Sequence, residues 1–259
     1  MNNKIPTVDF RWGDKYKATE FIQPRSLEIA TKAKKLNATG DVIDKVAAFI
    51  RDHFAYPLIG GQPSADGQFL RYRKSLLGYH WKKCVFYMWS FPAEVLLQKL
   101  GICIDTANLA TSLLRAESSI AFTCLGQVRK TATDELLSYH AWTAVESKQQ
   151  FYLLETTIHE PDGKNMITLH DAYHKDSDFA TTSGIYYVED ARYDESQYIG
   201  TTDLGLSGII FTLMGLPQKQ LRMFGLERAR QVPAKKLYTQ WRKEEQLKWK
   251  EVSRAWRTI

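Results

Sequence analysis

The sequence contains few of the residues that mark several large classes of protein. It has only 3 cysteines, 15 glycines and 8 prolines, which excludes a disulfide scaffold, a collagen-like chain and a proline-rich chain. The longest nearly uncharged apolar run, residues 204–216, is too short to cross a bilayer. The first residues lack the apolar segment of a signal peptide. We therefore expect a cytoplasmic protein with free thiols and no membrane contact.

Motifs of several enzyme classes are also missing. The sequence has no Gly-x-Gly-x-x-Gly or Gly-Lys-Ser/Thr phosphate loop and no Gly-x-Ser-x-Gly elbow. His159, His170, Asp171 and His174 could suggest a metal site, since histidines four residues apart suit one helix face. The surrounding residues 171–183 are polar and typical of a loop. We interpret these histidines as solvated and expect neither a metal nor a cofactor.

The overall composition is that of a folded protein, but its positive charge is uneven. Hydrophobic residues make up 44% and charged residues 25% of the chain. The whole chain has a net charge of +6. Residues 219–259 contain 12 Lys and Arg against 4 Asp and Glu, so this segment alone exceeds that value and the rest of the chain is slightly negative. We interpret this segment as a solvated helix face that can contact an acidic partner. We expect no nucleic acid there, because a recognisable reading motif is lacking.

Hydrophobic spacing predicts helices on both sides of a block of strands. Helices are expected over residues 25–36, 41–54, 92–100, 103–116 and from 204 onwards, and strands over residues 120–128, 139–145, 151–156, 166–169 and 185–188. Ser90 is expected to cap the third helix and Gly101 to end it. Residues 1–24 are interpreted as an irregular arm and residues 57–67 as a loop. This order predicts an α+β fold with a helical C-terminal extension.

Two aromatic segments remain open to more than one interpretation. Residues 69–90 contain Trp81 and Trp89 among basic residues, and they could line a groove or belong to the core. The C-terminal stripe, which includes Trp241 and Trp249, could pack back on the domain or dock on a partner.

Cys103 is placed as a nucleophile should be. It follows Gly101 and stands at the predicted start of a helix. The positive end of the helix dipole and the unpaired backbone N–H groups there favour a thiolate. The same N–H groups can stabilise an oxyanion. By contrast, Cys84 and Cys124 have no such setting, and we interpret both as structural.

His140 and Glu155 can supply the rest of a catalytic triad. His140 begins a predicted strand, and Glu155 ends the next one. A hairpin turning about residues 147–148 pairs Val145 with Gln150 and sets His140 opposite Glu155 on one face. A shift of two residues keeps both on that face, whereas a shift of one separates them. If the other imidazole nitrogen reaches Cys103, a Cys-His-Glu triad results.

These three segments resemble those of the transglutaminase-like superfamily of papain-like cysteine enzymes. The resemblance covers roughly residues 40–160 and rests on Gly101-Ile-Cys-Ile-Asp-Thr-Ala, Tyr139-His-Ala-Trp and Tyr152-Leu-Leu-Glu-Thr-Thr. It implies a papain-like core, with the nucleophile helix packed on an antiparallel sheet. The family usually has Asp-Pro in the third segment, where this chain has Glu155-Thr156. The resemblance divides the chain into an N-terminal arm and helix (1–40), a catalytic domain (41–200) and a basic helical extension (201–259).

The resemblance implies a cysteine-dependent amide hydrolase acting on a protein or peptide, with Cys103, His140 and Glu155 as catalytic residues. Such enzymes also place an upstream side chain at the oxyanion, and Trp81, Trp89 and Gln98 are all candidates. Two alternatives stay open. The same triad could serve a transglutaminase that joins glutamine to an amine, or the chain could be a non-catalytic module that uses its basic C-terminal helix.

Overall fold

The protein is α+β, as its sequence predicts, with helices packed on an antiparallel sheet. The computed structural model describes residues 5–9, 15–38, 41–54, 69–75, 78–84, 89–99, 101–157 and 166–200. The α-helices are α1 (Leu27–Asn37), α2 (Val42–His53), α3 (Pro92–Gln98), α4 (Cys103–Ala116), α5 (Leu169–Tyr173) and α6 (Asp178–Ser183). The strands are β1 (Thr7–Asp9), β2 (Lys15–Lys17), β3 (Phe69–Ser75), β4 (Gly78–Cys84), β5 (Ala121–Lys130), β6 (Leu136–Ser147), β7 (Gln150–Leu154), β8 (Met166–Thr168), β9 (Ile185–Tyr193) and β10 (Tyr198–Gly200).

A six-stranded sheet forms the centre of the fold, in the order β10-β9-β5-β6-β7-β8. Every neighbouring pair in it is antiparallel. Strand β9 comes late in the chain yet lies beside β5, so residues 185–193 reach the middle of the sheet. Strands β1 and β2 pair with each other, as do β3 and β4, in two separate ladders.

Helix α4 packs between the sheet and the other helices, and its first twelve residues are all buried. Threonines join it to the sheet: Thr123 Oγ1 donates to Thr111 Oγ1 at 2.9 Å, and Thr143 Oγ1 donates to the carbonyl of Ala107 at 3.1 Å. On the other side, α1, α2 and α3 bury an aliphatic cluster against α4. The helix is therefore fixed on both sides, together with Cys103 at its first position.

The N-terminal segment is more regular than an arm. The structure has β1, β2 and a short 3₁₀ helix (Ala18–Phe21) where the sequence predicted irregular chain. The Phe21 ring is fully buried, stacked 4.8 Å from Phe91 and edge-on 5.2 Å from Trp89. Strands of three residues are too short to show an alternating pattern, which is why sequence periodicity missed them.

The ends of α3 differ from the prediction by one or two residues. Its N-cap is Phe91, whose N–H donates to the Glu94 carboxylate at 3.1 Å, and the adjacent Ser90 N–H donates to Asp105 instead. At the other end the helix stops at Gln98, two residues before the predicted end, and Lys99 adopts the left-handed conformation with φ of 57°. Gly101 serves packing: a Cβ there would lie 2.8 Å from the Cβ of Asp105.

Residues 171–183, predicted to be a loop, lie largely in α5 and α6. Each helix starts at a hydroxyl N-cap: Thr168 accepts from the Asp171 N–H and Ser177 accepts from the Ala180 N–H, both at 3.0 Å. Capping hydroxyls of this kind stabilise a first helical turn. Helices of five or six residues are too short for an apolar stripe to be recognised in a polar sequence.

Some predictions lie outside the described residues: the loop at 57–67, His159 and the whole extension at 201–259. The aromatic segment is partly described, and β3 and β4 pair there from Phe69 with Cys84 to Ser75 with Gly78. Within the described residues, no helix is long and apolar enough to cross a membrane. The division into three parts and the cytoplasmic location stay predictions.

Gly126 provides a test of the packing beneath the candidate site. The pairing of β5 with β9 shifts between Leu125 and Gly126, and a Cβ at Gly126 would lie 2.0 Å from the carbonyl oxygen of Val188. It would also lie 2.7 Å from the Trp142 indole. Because the obstacle is backbone, we expect Gly126→Ala to lower the free energy of unfolding by about 3 kcal/mol, measured by urea denaturation.

Gly184 is the matched control for this measurement. It has φ of +75° but nothing within 4 Å of a built Cβ. Gly184→Ala should therefore cost about 1 kcal/mol, from the left-handed backbone alone. Equal losses in the two variants would contradict the close packing inferred at Gly126.

Candidate active site

Cys103 is the first residue of α4, and its side chain is fully buried. The turn that presents it is fixed by Asp105, whose carboxylate accepts the N–H of Ile102 at 3.1 Å and that of Ser90 at 2.9 Å. Thr106 Oγ1 donates within the same turn and lies 3.0 Å from Thr156 Oγ1. By helix geometry, the N–H groups at Cys103 and Ile104 have no acceptor within the helix. They are available to a negative charge at the sulfur or on a bound carbonyl.

His140 lies in β6 and is 1% exposed. Its Nε2 lies 2.9 Å from Oε2 of Glu155, within hydrogen-bonding distance. Its Nδ1 is buried and has no hydrogen-bond partner among the described residues. Because Glu155 holds Nε2, Nδ1 is the nitrogen left to face the Cys103 thiol, which lies close enough to affect the protonation of the ring. The structure thus brings together the three residues that the sequence singled out.

The environment of His140 favours the imidazolium. Burial alone would lower the pKa of His140, but the charge of Glu155 opposes it. The hydrogen bond to Glu155 and the nearby Cys103 sulfur act in the same direction, and together they raise the pKa to about 10. In cysteine enzymes generally, a protonated imidazole beside the sulfur stabilises a thiolate.

The hairpin that carries His140 and Glu155 has a different register from the one predicted. The turn residues are Lys148 and Gln149, both left-handed with φ of 51° and 63°, so Ser147 pairs with Gln150. The predicted pairing set Val145 opposite Gln150, two positions away. A shift of two preserves the face on which each side chain lies. Glu155 therefore still meets His140, but from beyond the end of β7 instead of from a directly opposed position.

Glu155 is 3% exposed, and its carboxylate is held on both oxygens. Oε1 accepts the N–H of Thr157 at 2.8 Å, and Oε2 accepts the hydroxyl of Tyr187 at 3.1 Å in addition to its contact with His140. Sequence reasoning missed Tyr187. It lies in β9, 32 residues from Glu155 in sequence, and only the placement of β9 beside β5 brings it near.

One of the three candidate oxyanion donors is well described. Trp89 is fully buried, and its Nε1 has no hydrogen-bond partner among the described residues. It lies near the start of α4, because the adjacent Ser90 is bonded to Asp105 in the first turn. A buried donor without an acceptor is costly unless a ligand supplies one. The side chains of Trp81 and Gln98 lie outside the description, so the choice among the three stays a prediction.

The further cysteine and histidine side chains that are described include Cys124, His170 and His174. Cys124 is buried in β5, where burial, reinforced by Glu189, raises the pKa of its thiol. This setting fits the structural role expected for it. His170 and His174 lie at α5 with their rings 4.3 Å apart. Across the described ranges, no group of three or more His, Cys, Asp or Glu side chains could hold a metal.

No protein-family model matches the chain, and no curated protein matches its sequence. Among solved structures, it is similar to a protein of Cytophaga hutchinsonii described as a candidate cysteine protease, with 17% identity and a TM-score of 0.36. The match covers 57% of this chain and 42% of that chain, so it spans less than half of the neighbour's length. A likeness this distant establishes neither family nor activity. Membership of the transglutaminase-like superfamily stays a prediction.

The protonation of His140 can be tested directly. Its pKa of about 10 lies above the ordinary 6.5, so the ring should stay charged at pH 8. Its contribution to folding is complete below about pH 6.5 and is lost as the pH rises through about 10. In Glu155→Gln the opposing charge is gone while burial remains, and we expect the pKa to fall to 6.5 or below. Histidine ¹⁵N chemical shifts followed from pH 5 to 11 measure both values. A wild-type ring that titrates near 6.5 would contradict the assignment.

Proposed function

We propose that the protein is a cysteine-dependent amide hydrolase, of the peptidase or isopeptidase type, with Cys103 as nucleophile, His140 as acid and base, and Glu155 as the group that orients His140. One observation carries the proposal: the buried Nδ1 of His140 has no hydrogen-bond partner among the described residues, and it is left to face a cysteine at a helix N-terminus. A histidine with a purely structural role satisfies both nitrogens when buried.

The residues support the following first half-reaction. The Cys103 thiolate attacks the carbonyl carbon of an amide, and a carbon–sulfur bond forms as the carbonyl π bond opens. The oxyanion is stabilised by free N–H groups at the start of α4 and by one upstream donor, for which Trp89 is a candidate. The imidazolium of His140 then gives its proton to the leaving nitrogen as the carbon–nitrogen bond breaks. The acyl group remains on Cys103 as a thioester.

Water completes the reaction. Neutral His140 takes a proton from the water molecule while the water oxygen attacks the thioester carbon. The carbon–sulfur bond then breaks, which releases a carboxylic acid and restores the thiolate–imidazolium pair. Throughout, the Glu155 carboxylate accepts a hydrogen bond from Nε2 of His140. This bond holds Nδ1 towards the sulfur and stabilises the charged ring. An amine in place of water would give the transglutaminase reaction, and both reactions share the first half.

The site must open for either reaction. Cys103, His140 and Glu155 are 0%, 1% and 3% exposed, so a substrate cannot reach the sulfur in the enclosed arrangement. Alkylation of Cys103 should therefore report both opening and thiolate formation. This makes a small thiol reagent the first probe, ahead of any choice of peptide.

We expect iodoacetamide to modify Cys103 at pH 6 to 7, where an ordinary thiol is largely protonated. His140→Ala should slow this modification at least about tenfold, because the charged ring no longer stabilises the thiolate. Mass spectrometry of the digested protein follows each cysteine separately. Cys124, whose pKa burial raises, is the internal control and should stay unmodified. Equal rates for Cys103 in wild type and His140→Ala would count against the proposal.

Substrate turnover gives the second test. The protein is incubated with peptides, with isopeptides, or with glutamine peptides together with a biotin-tagged primary amine. Mass spectrometry then gives the masses of the products. A peptide cut or a glutamine converted to glutamate indicates hydrolysis, whereas an added amine indicates transfer. Cys103→Ala should lose turnover at least about a thousandfold with little change in stability, and Cys124→Ala should keep it. Turnover that survives in Cys103→Ala would remove the proposed nucleophile.

A further inference from the structure

The hydroxyl of Tyr187 contacts the same carboxylate oxygen as His140. It donates to Oε2 of Glu155 at 3.1 Å, while Nε2 of His140 lies 2.9 Å from that oxygen. Tyr187 is 2% exposed and its ring centre lies 6.2 Å from that of His140. The hydroxyl therefore acts on the oxygen that orients the proposed base.

Tyr187 is itself held in place, so it can act as a fixed donor. Its backbone pairs with Val128 inside the six-stranded sheet. Its ring meets Trp142 edge-on at 5.2 Å and stacks on Phe179 at 6.3 Å. A tyrosine enclosed in this way has only its hydroxyl torsion left to adjust.

Glu155, by contrast, lies just beyond the end of a strand. β7 ends at Leu154, and residues 155–157 are irregular in structure. Glutamate also has one more rotatable bond than the aspartate usual in the family that the sequence resembles. Its carboxylate is fixed from one side by the Thr157 N–H, two residues away on the same irregular segment. Besides His140, the Tyr187 hydroxyl is a contact that connects this carboxylate to the rigid part of the sheet.

We propose that Tyr187 is a positioning residue that fixes the Glu155 carboxylate against Nε2 of His140, and so aims Nδ1 at Cys103. The inference rests on the proposed function and extends it by a fourth side chain. It predicts that the Tyr187 hydroxyl matters only while the Glu155 carboxylate is present.

A double-mutant cycle tests this dependence, with the rate of Cys103 alkylation by iodoacetamide at pH 7 as the readout. We expect Tyr187→Phe to slow alkylation about tenfold, the size of effect typical for a hydrogen bond to a charged group. Glu155→Ala should slow it at least as much. The double variant should be no slower than Glu155→Ala alone. A full tenfold loss on top of Glu155→Ala, or no loss in Tyr187→Phe, would overturn the inference.

Tyr193→Phe is the matched control. Tyr193 lies in the same strand, is fully buried, and donates its hydroxyl to Oδ1 of Asn108 at 2.7 Å instead of to Glu155. It should lose comparable stability in thermal unfolding but alkylate at the wild-type rate. If Tyr193→Phe slows alkylation as much as Tyr187→Phe, the effect reflects loss of a buried hydroxyl in general, and the positioning role is wrong.

A second readout does not depend on the reaction. The Nε2–H proton of His140 should be visible by NMR in ¹⁵N-histidine-labelled protein, and its exchange with water should be at least about tenfold faster in Tyr187→Phe than in wild type or Tyr193→Phe. Unchanged exchange overturns the inference even if the triad is active. Conversely, unchanged alkylation in His140→Ala removes the proposed function, while the exchange rate still decides whether Tyr187 positions the Glu155–His140 pair.

Discussion

The contact between His140 and Glu155 is the constraint on which the rest of the site depends. Both side chains are almost fully buried, and burying two charges is unfavourable unless their attraction is joined by further hydrogen bonds. The protein supplies these from two directions, the Thr157 N–H and the Tyr187 hydroxyl. These contacts favour the charged form of His140 at a place that is almost fully buried. A charged ring is what a neighbouring thiol needs in order to ionise.

The position of Cys103 follows from a different requirement, the rigidity of α4. Two side-chain bonds join the buried face of this helix to the sheet: Thr123 donates to Thr111, and Thr143 donates to the carbonyl of Ala107. Directional bonds of this kind fix the rotation and the axial position of the helix, which apolar packing alone fixes less closely. The sulfur and the imidazole are therefore carried on elements that cannot shift independently. The part of the site that is not carried on a regular element is Glu155.

The parts of the fold that could be predicted are those that local sequence encodes. Helix α4 begins and ends where its apolar spacing indicates, and α2 begins after Asp41, whose side chain accepts the N–H of Ile43. The short helices α5 and α6 escaped prediction because five or six residues do not complete a periodic pattern. The hairpin register escaped it for another reason. Any two adjacent residues of this stretch could form the two-residue turn. Pairing along the whole β6–β7 ladder decides that Lys148 and Gln149 form it.

Tyr187 was beyond prediction because its contact depends on topology. The chain leaves the sheet after β8 and returns as β9 on the far side of β5 and β6, and no local pattern specifies that return. By contrast, Cys103, His140 and Glu155 could be singled out from local sequence, which indicates a helix start at Cys103 and two adjacent strands that carry or precede the other two residues. Sequence reasoning thus singled out three residues that the structure brings together, and missed the tyrosine that contacts one of them.

The register also accounts for the use of glutamate at position 155. In the β6–β7 ladder each step back along β6 is matched by one step forward along β7, starting from the pair Ser147 and Gln150. If the ladder continued past Leu154, the residue facing His140 would therefore be Thr157. Glu155 is then a diagonal neighbour of His140, at roughly 7 Å between backbone positions instead of about 5 Å. An aspartate there would be one methylene too short to keep the contact with Nε2. The longer side chain spans the diagonal but gains a torsion, and the Tyr187 hydroxyl restrains the freedom that this torsion adds.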